Sequence, residues 1–306
     1  MANSSGIEWT EATWNPVAGC SMVSPGCSNC YAMKMAHRLE GMGQEKYAGT
    51  TRNGERGAVW TGKINLDEAA LTIPLGWKKP RRVFVNSMSD LFHEDIPEIF
   101  IDRVFATMAV AQQHDFQILT KRPERAAEYL AALGKSFARL KSSCPVGWSM
   151  EFQGLPLVRW PLPNVWLGTS IENQDTANER LQTLLNTPAA VRWVSFEPLL
   201  GPIDIHQAAA GFLGLHWAVI GGESGPGARG CNLGWIRSLR DQLRRANRFT
   251  GIFVKQLGSR PVNVWTTRGG WTETDELRLQ DRKGGKPDEW PDDLRIREFP
   301  EVANGR

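Results

Sequence analysis

The sequence predicts an α/β fold in which parallel strands form a full or partial β/α barrel. Short runs of β-branched and aromatic residues recur along the chain, and amphipathic helical patterns follow most of them. Near-continuous apolar runs are typical of parallel strands that are covered on both faces. A doubly wound sheet is the alternative that this alternation leaves open. The 306 residues suit one large domain.

Seven segments are predicted as strands of this sheet, and proline ends the first of them. They are residues 7–16, 83–85, 116–119, 165–167, 191–194, 217–220 and 252–254. After residue 258 the periodicity fades into Gly, Pro, Trp and charge. Residues 1–258 are therefore the predicted barrel domain, and residues 259–306 are predicted as an extension packed on it.

The helices carry their own sequence signals. Asp95 is predicted to cap a helix with Glu98 three residues later, and Pro123 opens another. The remaining helices are predicted at 29–39, 174–186 and 233–247, and residues 41–62 read as a surface excursion. The last helix points Ile236, Leu239, Leu243 and Ala246 inward and carries arginines on another face. Such a face is either solvated or contacts a polyanion.

Composition limits the class of protein. A net charge of +3 permits a nucleic-acid partner without requiring one. No apolar run approaches the roughly 18 residues of a membrane span. The first six residues have neither the basic region nor the apolar run of a secretion signal. We therefore expect a cytoplasmic protein with no membrane partner.

The chain is organised around a loop with three of its five cysteines. Cys20, Cys27 and Cys30 lie within eleven residues, beside Pro25 and Gly26. Structural zinc normally takes four protein ligands, whereas an iron–sulfur cluster held by three cysteines keeps one iron free. Cys30 is predicted to lie in the first turn of a helix, where the partial positive charge of the helix N-terminus stabilises a thiolate.

Three other interpretations of these cysteines compete with an iron–sulfur cluster. The first is a zinc site completed by His37, Cys144 or Cys231. The second is a chance cluster of buried cysteines, because free cysteine behaves as a small hydrophobe. A disulfide network is disfavoured, since the number of cysteines is odd and no secretion signal is visible.

Polar residues follow the predicted strands, where β/α barrels collect their chemistry. Carboxylates at these positions are suited to bind the amino or hydroxyl groups of a ligand. Lys121, Arg122 and Lys255 are suited to bind a carboxylate or a phosphate. Each residue is equally suited to cap a helix or form an ion pair. The candidate cofactor-binding residues are Ser87, Ser89, Asp90, Lys121, Ser170, Glu172, Glu197 and Glu223.

A three-cysteine loop after the first strand of a β/α barrel resembles the radical S-adenosylmethionine superfamily. More closely, the sequence resembles a phage- and prophage-associated family of uncharacterised proteins with a three-cysteine motif. The similar blocks cover most of residues 7–258. They are residues 14–20, 24–32, 85–93, 119–125, 164–168, 197–202, 221–224 and 253–256.

The resemblance implies a specific chemistry. Cys20, Cys27 and Cys30 would bind a [4Fe–4S] cluster whose free iron chelates S-adenosylmethionine. One-electron reduction, by a donor such as flavodoxin or ferredoxin, would then give a 5′-deoxyadenosyl radical that takes hydrogen from the substrate. The first cysteine spacing is longer than is usual in the superfamily. The Gly-Gly-Glu sequence ending at Glu223 follows the sixth strand instead of the second.

The leading hypothesis is therefore a radical S-adenosylmethionine enzyme of the TIM-barrel type. A nucleic acid or nucleotide is the favoured substrate, because of the phage association, the arginine face and a basic run of Lys78, Lys79, Arg81 and Arg82. A peptide or a partner protein is the alternative. A second hypothesis is a zinc-stabilised nucleic-acid-binding module without catalysis. A third is a metal-dependent barrel hydrolase that uses Asp90, Glu172, Glu197 or Glu223.

Overall fold

In the computed structural model, the described residues are 5–55, 57–136, 139–144, 159–210, 214–266 and 272–301. The helices are α1 Tyr31–Gly41, α2 Glu98–Val110, α3 Pro123–Lys135, α4 Arg139–Ser142, α5 Gln174–Asn186, α6 Ile205–Ala208 and α7 Leu233–Ala246. The strands are β1 Ala12–Trp14, β2 Val17–Ala18, β3 Thr51–Gly54, β4 Gly57–Trp60, β5 Asn65–Leu66, β6 Arg82–Val85, β7 Asp115–Thr120, β8 Val165–Ser170, β9 Val191–Phe196, β10 Trp217–Gly221, β11 Cys231–Asn232, β12 Gly251–Gln256, β13 Pro261–Thr266 and β14 Thr272–Glu276. Within these residues, no helix combines the length and the apolar character that crossing a membrane requires.

The main sheet is parallel and has seven strands in the order β1-β6-β7-β8-β9-β10-β12. Each of the seven predicted strands is present, so this prediction is confirmed. The order follows the chain without reversal, whereas a doubly wound sheet changes direction at a switch point. The fold is therefore consistent with a partial β/α barrel, and the doubly wound alternative is wrong.

The chain divides into two compact units. The first comprises Met1–Val23, Cys30–Gly168 and Asn186–Ala190. In it, β6 pairs in parallel with β1 and β7, and the rings of Trp14 and Phe116 lie 5.6 Å apart. Asn86 ends β6 with a positive φ of 56°. Its Oδ1 accepts a hydrogen bond from the Val17 N–H, which fixes the chain where it turns toward Ser87.

The second unit comprises Ser24–Asn29, Thr169–Leu185 and Val191–Arg306. In it, β10 lies between β9 and β12, and the rings of Trp193 and Trp217 are 5.2 Å apart. Trp217 also stacks on Phe299 at 5.5 Å and donates Nε1–H to the Glu298 carbonyl at 2.8 Å. The last described segment therefore packs on the sheet of this unit. The predicted boundary at residue 258 stays a prediction.

The start of α2 corrects one prediction. The N-cap residue is Pro97, with extended backbone and no side-chain cap, so Asp95 does not cap this helix. The physical reason is the proline, because the residue before proline is disfavoured in the helical conformation. The predicted helix at Pro123 is confirmed. Asn232 caps α7, whose Ile236, Leu239 and Leu243 are buried as predicted.

Residues 41–62 are more ordered than their sequence suggests. Strands β3 and β4 form an antiparallel hairpin, and Trp60 at its end is buried. Most described residues between 41 and 62 are exposed, as expected of a surface excursion, but the hairpin itself was not predicted. Two four-residue strands around a turn are too short to show a period along the sequence.

The arginine face of α7 is paired with acidic residues. Arg237 Nε and Arg240 Nη1 lie 2.9 Å and 2.8 Å from Asp293 Oδ2. Arg244 forms an ion pair with Glu298. Both partners of each ion pair belong to the second unit. Asp293 and Glu298 therefore neutralise a large part of the positive charge on the predicted basic face.

The stacking on Trp217 gives a stability prediction. Replacing Trp217 with Ala should lower the free energy of unfolding by about 3 to 5 kcal/mol, because it leaves a cavity between buried aromatic rings. Trp217→Phe should cost less, since one aromatic ring stays, while the hydrogen bond to Glu298, worth about 1 kcal/mol, and the second ring of the indole are lost. Urea-induced unfolding followed by circular dichroism measures both changes. The control is Phe249→Ala, which removes a ring that is 64% exposed. Equal midpoints for Trp217→Ala and Phe249→Ala would contradict the packing argument.

Candidate functional site

The first unit holds Cys20 and Cys30 against one apolar surface. Gly19, just before Cys20, has a φ of 96°, and a Cβ there would lie 2.1 Å from the Lys63 carbonyl oxygen. Only glycine fits this position. Cys20 and Cys30 both pack on a buried cluster formed by Ala18, Ala32, Met33, Ala36, Tyr47, Trp60 and Met88.

Cys30 is the N-cap residue of α1 and does not cap it through its side chain. The sequence placed Cys30 in the first turn of the helix, and the structure places it one step earlier. The unpaired N–H groups and dipole of a helix N-terminus favour negative charge nearby. This position therefore favours the thiolate form that metal binding needs.

Arg122, which follows β7, interacts electrostatically with Cys20. Its guanidinium donates to Asp90 Oδ2 at 3.1 Å, Glu94 Oε2 at 2.7 Å and Ser21 Oγ at 2.6 Å. Partial burial opposes its charge, but Asp90, Glu94 and the Cys20 thiol together raise the pKa of Arg122. Arg122 therefore stays protonated and brings a fixed positive charge to the cysteine loop.

His93 completes the contacts around Ser21. Its Nε2 lies 2.9 Å from Ser21 Oγ, and its Nδ1 accepts the Asp95 N–H at 3.2 Å. Since Nδ1 accepts, the ring proton sits on Nε2 and points to Ser21. Burial, followed by the charge of Arg122, lowers the pKa of His93. His93 is thus a neutral donor that holds the residue after Cys20.

The predicted site residues of the first unit bond mainly to the backbone and to neighbours. Ser87 Oγ donates to Asn15 Oδ1 at 3.1 Å, and Ser89 Oγ donates to the Val17 carbonyl at 3.0 Å. Asp90 is buried and accepts from Thr120 Oγ1 at 2.7 Å and from the Lys121 N–H at 3.0 Å. The structure therefore brings Asp90 and the Lys121 backbone together, with Ser87 and Ser89 on the same loop after β6.

The second unit contains the other part of the cysteine loop and anchors it to two carboxylates. Ser24 Oγ donates to Glu172 Oε1 at 2.8 Å, and Asn29 Nδ2 donates to Glu223 Oε2 at 2.9 Å. Between them, Cys27 ends a short 3-10 turn and is 8% exposed. Both ends of the segment around Cys27 are therefore fixed by acidic residues that the sequence singled out.

Glu172 lies beneath this segment and away from solvent. It is 0% exposed, and its Oε2 lies 3.5 Å from Nη1 of the equally buried Arg180. Arg180 Nη1 also donates to the carbonyl of Ser170, another predicted site residue, at 2.9 Å. A buried charge of this kind is tolerated only when it is paired and hydrogen-bonded. Glu172 thus contacts the loop itself, and its assignment to a cofactor stays a prediction.

Glu223 forms a two-pronged ion pair with Arg229, at 2.5 Å from Oε1 to Nη2 and 3.0 Å from Oε2 to Nε. Burial raises the pKa of Glu223, but the hydrogen bonds from Arg229 and Asn29 outweigh burial, and the net pKa lies below its ordinary value. The carboxylate is therefore ionised at neutral pH.

Glu197, at the end of β9, is less enclosed. Its Oε1 lies 3.3 Å from Lys255 Nζ, and the two side chains are 13% and 22% exposed. Burial and Glu197 raise the pKa of Cys231 to about 12. Cys231 is therefore a protonated, buried thiol at neutral pH.

Each of the four predicted carboxylates is paired with a cation. The pairs are Asp90–Arg122, Glu172–Arg180, Glu197–Lys255 and Glu223–Arg229. Sequence reasoning missed Arg180, Arg229 and Asn29. Arg229 follows Glu223 closely in a glycine-rich loop, and that spacing is the only signal that could have indicated it.

The donor set fits a thiophilic metal group, since three cysteines share one short loop. In the described ranges, however, no three His, Cys, Asp or Glu side chains are close enough together to hold a metal ion. The fit rests on the chemistry of the donors.

Gly26 provides a test of the anchored loop. A Cβ at Gly26 would lie 2.5 Å from Glu172 Oε1, and Glu172 cannot swing away because it is buried against Arg180. Gly26→Ala should therefore open the loop locally and raise the iodoacetamide alkylation rate of Cys27 about tenfold in metal-free, reduced protein. Peptide mass spectrometry reads the rate at each cysteine. The control is Gly41→Ala, where a Cβ meets nothing within 4 Å. An unchanged rate at Cys27 would contradict the anchoring role of Glu172.

The lowered pKa of Glu223 predicts a pH dependence. Because the unfolded chain binds the proton at a higher pH than the folded chain, the contribution of Glu223 to stability is present above 4.5 and is lost as pH falls through the lowered folded pKa. Between about pH 5 and pH 3, unfolding midpoints should therefore fall more steeply for the wild type than for Glu223→Gln. Asp288→Asn, which changes an exposed carboxylate of the same unit, is the control. Parallel pH profiles for wild type and Glu223→Gln would refute the assignment.

Comparison with known proteins gives a family relationship. A family model described as "Protein of unknown function (DUF5131)" matches residues 4–286. No curated protein and no solved structure matches the chain. Because the family match covers most of the 306 residues, the chain belongs to the DUF5131 family.

Proposed function

We propose that this chain is an iron–sulfur, S-adenosylmethionine-dependent radical enzyme. The observation that carries the proposal is the loop with Cys20, Cys27 and Cys30, three cysteines within eleven residues. Three thiolates suffice for a [4Fe–4S] cluster with one iron left for a ligand, but they leave a structural zinc site one ligand short.

The surroundings of two of these thiols support the proposal. Cys30 lies at the N-cap position of α1, and the Arg122 charge acts on Cys20. Both features favour thiolates, the form in which cysteine binds iron. The sequential parallel sheet also supports it, because the loop follows β1 and so leaves the carboxyl end of a strand, where barrel enzymes carry their sites.

In this proposal Cys20, Cys27 and Cys30 hold the cluster. The chemistry that the group supplies when bound is one-electron cleavage of S-adenosylmethionine to methionine and a 5′-deoxyadenosyl radical, which takes hydrogen from the substrate. The chain's own residues bind and orient the reactants and exclude water. Ser24, Asn29 and the carboxylates that hold them fix the loop around Cys27.

Ligand contacts are best assigned to polar groups that solvent can reach. Glu197 and Lys255 form a partly exposed pair of opposite charges, which suits the amino and carboxylate groups of a zwitterionic ligand. Ser87, Ser89 and Lys121 are also partly exposed. Glu172, which is fully enclosed, is better suited to position the loop than to touch a ligand.

The alternatives draw less support from the described contacts. A hydrolase would use the strand-end carboxylates to bind a divalent cation, but each of them is already compensated by Arg or Lys. A nucleic-acid-binding module would use the arginines of α7, but Asp293 and Glu298 pair with three of them. We therefore leave the substrate class open and propose no second function.

Anaerobic purification with iron and sulfide analysis tests the proposal. We expect brown wild-type protein with about four irons per chain, and loss of the iron in the variant Cys20→Ala, Cys27→Ala, Cys30→Ala. Cys144→Ala, which removes a cysteine outside the loop, should keep the iron. Wild-type protein given dithionite and S-adenosylmethionine should then form 5′-deoxyadenosine, measured by mass spectrometry. Colourless protein that holds one zinc after reconstitution would overturn the proposal.

A further inference from the structure

Strand β14 forms one edge of the small sheet in the second unit. The strand order of this sheet is β11-β13-β14, and among the strands that the structure describes β14 pairs only with β13. Every residue of β14, Thr272–Glu276, is exposed. An edge strand with an open side is a template on which another extended segment can pair. The open side of β14 is therefore a candidate surface for a partner chain.

The register of the hairpin determines which backbone groups of β14 point to the open side. Leu277, just after β14, donates its N–H to the Pro261 carbonyl at 2.9 Å. In an antiparallel pair, hydrogen-bonded and non-hydrogen-bonded residue pairs alternate. Counting back from Leu277, every second residue therefore bonds to β13, and the residues between them direct their N–H and C=O groups outward. The outward residues are Thr272, Thr274 and Glu276.

The open strand also carries negative charge. Within the described residues, none of Glu273, Asp275 and Glu276 forms an ion pair. Other carboxylates of the second unit, such as Glu223 and Asp293, are held by arginines. Strand β14 therefore presents uncompensated carboxylates next to backbone groups that β13 does not use.

The two faces of β14 differ in character. Val264 of β13 lies directly opposite Thr274 and is 38% exposed. Because side chains alternate between the faces of a strand, Thr274 and Val264 share one face, and Glu273 and Asp275 lie on the other. A segment added to this edge would meet an apolar side chain and a threonine on one face and two carboxylates on the other.

A second copy of β14 is a poor occupant of this edge. Two such strands in one ladder would bring the carboxylates of both chains together, and like charges on facing strands are destabilising. Charge on an edge strand therefore disfavours self-association. The same charges favour a segment of opposite sign, so the partner is selected by its charge.

We propose that β14 binds an extended basic segment of another protein as an additional antiparallel strand. The segment has Lys or Arg at alternate positions, opposite Glu273 and Asp275, and an apolar or β-branched residue between them, opposite Thr274. Backbone hydrogen bonds supply affinity in this mode of recognition, and the alternating side chains supply specificity. Antiparallel pairing continues the sense of the β13–β14 hairpin and is slightly more stable per residue than parallel pairing. The inference concerns a surface of the second unit and does not depend on the proposed radical chemistry.

Fluorescence anisotropy with a labelled peptide, Lys-Val-Lys-Val-Lys-Val-Lys, tests the inference. Thr274→Pro removes an outward N–H that β13 does not use, and proline is tolerated at such a position of an edge strand. This variant should bind the peptide about tenfold more weakly than wild type, because it loses a backbone hydrogen bond. Its urea unfolding midpoint should match that of wild type. Equal affinities of Thr274→Pro and wild type would overturn the strand pairing.

A second arm uses the wild-type protein, so it does not depend on the folding of a variant. In the proposed pairing, the valine N–H groups of the peptide point to β14 and the lysine N–H groups point away. N-methylation of the valines should therefore weaken binding about tenfold, whereas N-methylation of the lysines should leave the affinity close to that of the unmethylated peptide. Equal affinities of the two methylated peptides would show attraction by charge alone and would overturn the pairing.

The charges of β14 give a third readout. Glu273→Gln with Asp275→Asn should weaken peptide binding and reduce its dependence on salt concentration. Asp288→Asn, which neutralises an exposed carboxylate of the same unit outside β14, is the matched control and should bind like wild type. An unchanged salt dependence in the double variant would overturn the charge assignment.

Two further outcomes would also overturn the proposal. Wild-type protein that does not bind the unmethylated peptide would show that the charges of β14 serve only to prevent edge-to-edge association. Dimerisation of wild type in sedimentation that is lost in Thr274→Pro would assign the edge to a second copy of the chain.

Discussion

The buried ion pair between Glu172 and Arg180 is the interaction on which the described part of the Cys27 segment depends. A carboxylate that is 0% exposed must be compensated, and Arg180 supplies the charge while Ser24 supplies a hydrogen bond. Gly26 leaves the room in which Glu172 approaches the backbone. The segment around Cys27 is thus held by its hydrogen bond to the buried Glu172 carboxylate. Gly26 is required because a side chain at that position would clash with Glu172.

The same rule of compensation applies to the other strand ends. Asp90, Glu197 and Glu223 each meet a cation that comes from a later element of the same unit. A carboxylate that is already held by a cation is compensated locally, so it attracts a further cation less strongly than an unpaired carboxylate would.

The sequence predicts the sheet well because buried parallel strands are continuous apolar runs, as in β9 and β10. The inward face of α7 and the location of Cys30 at the start of α1 follow from helical periodicity in the same way. The partners of the site could not be predicted. Ser24 and Glu172 are 148 residues apart, and no local pattern states which of several carboxylates a serine will meet. Asp95 failed as a cap because a proline two residues later moved the start of the helix.

The acidic segment after Trp290 has a consequence for how preparations of this protein behave. Asp293 and Glu298 serve as built-in counter-ions for Arg237, Arg240 and Arg244. A chain clipped by a protease after Trp290 would lose them, and Arg237 and Arg244 of α7 would be left without these acidic partners, while Arg240 keeps Asp241. Such a fragment would adsorb to any polyanion, including contaminating nucleic acid, through ordinary counterion release. Nucleic-acid affinity seen in a degraded sample would then report proteolysis of the tail and not a property of the intact chain.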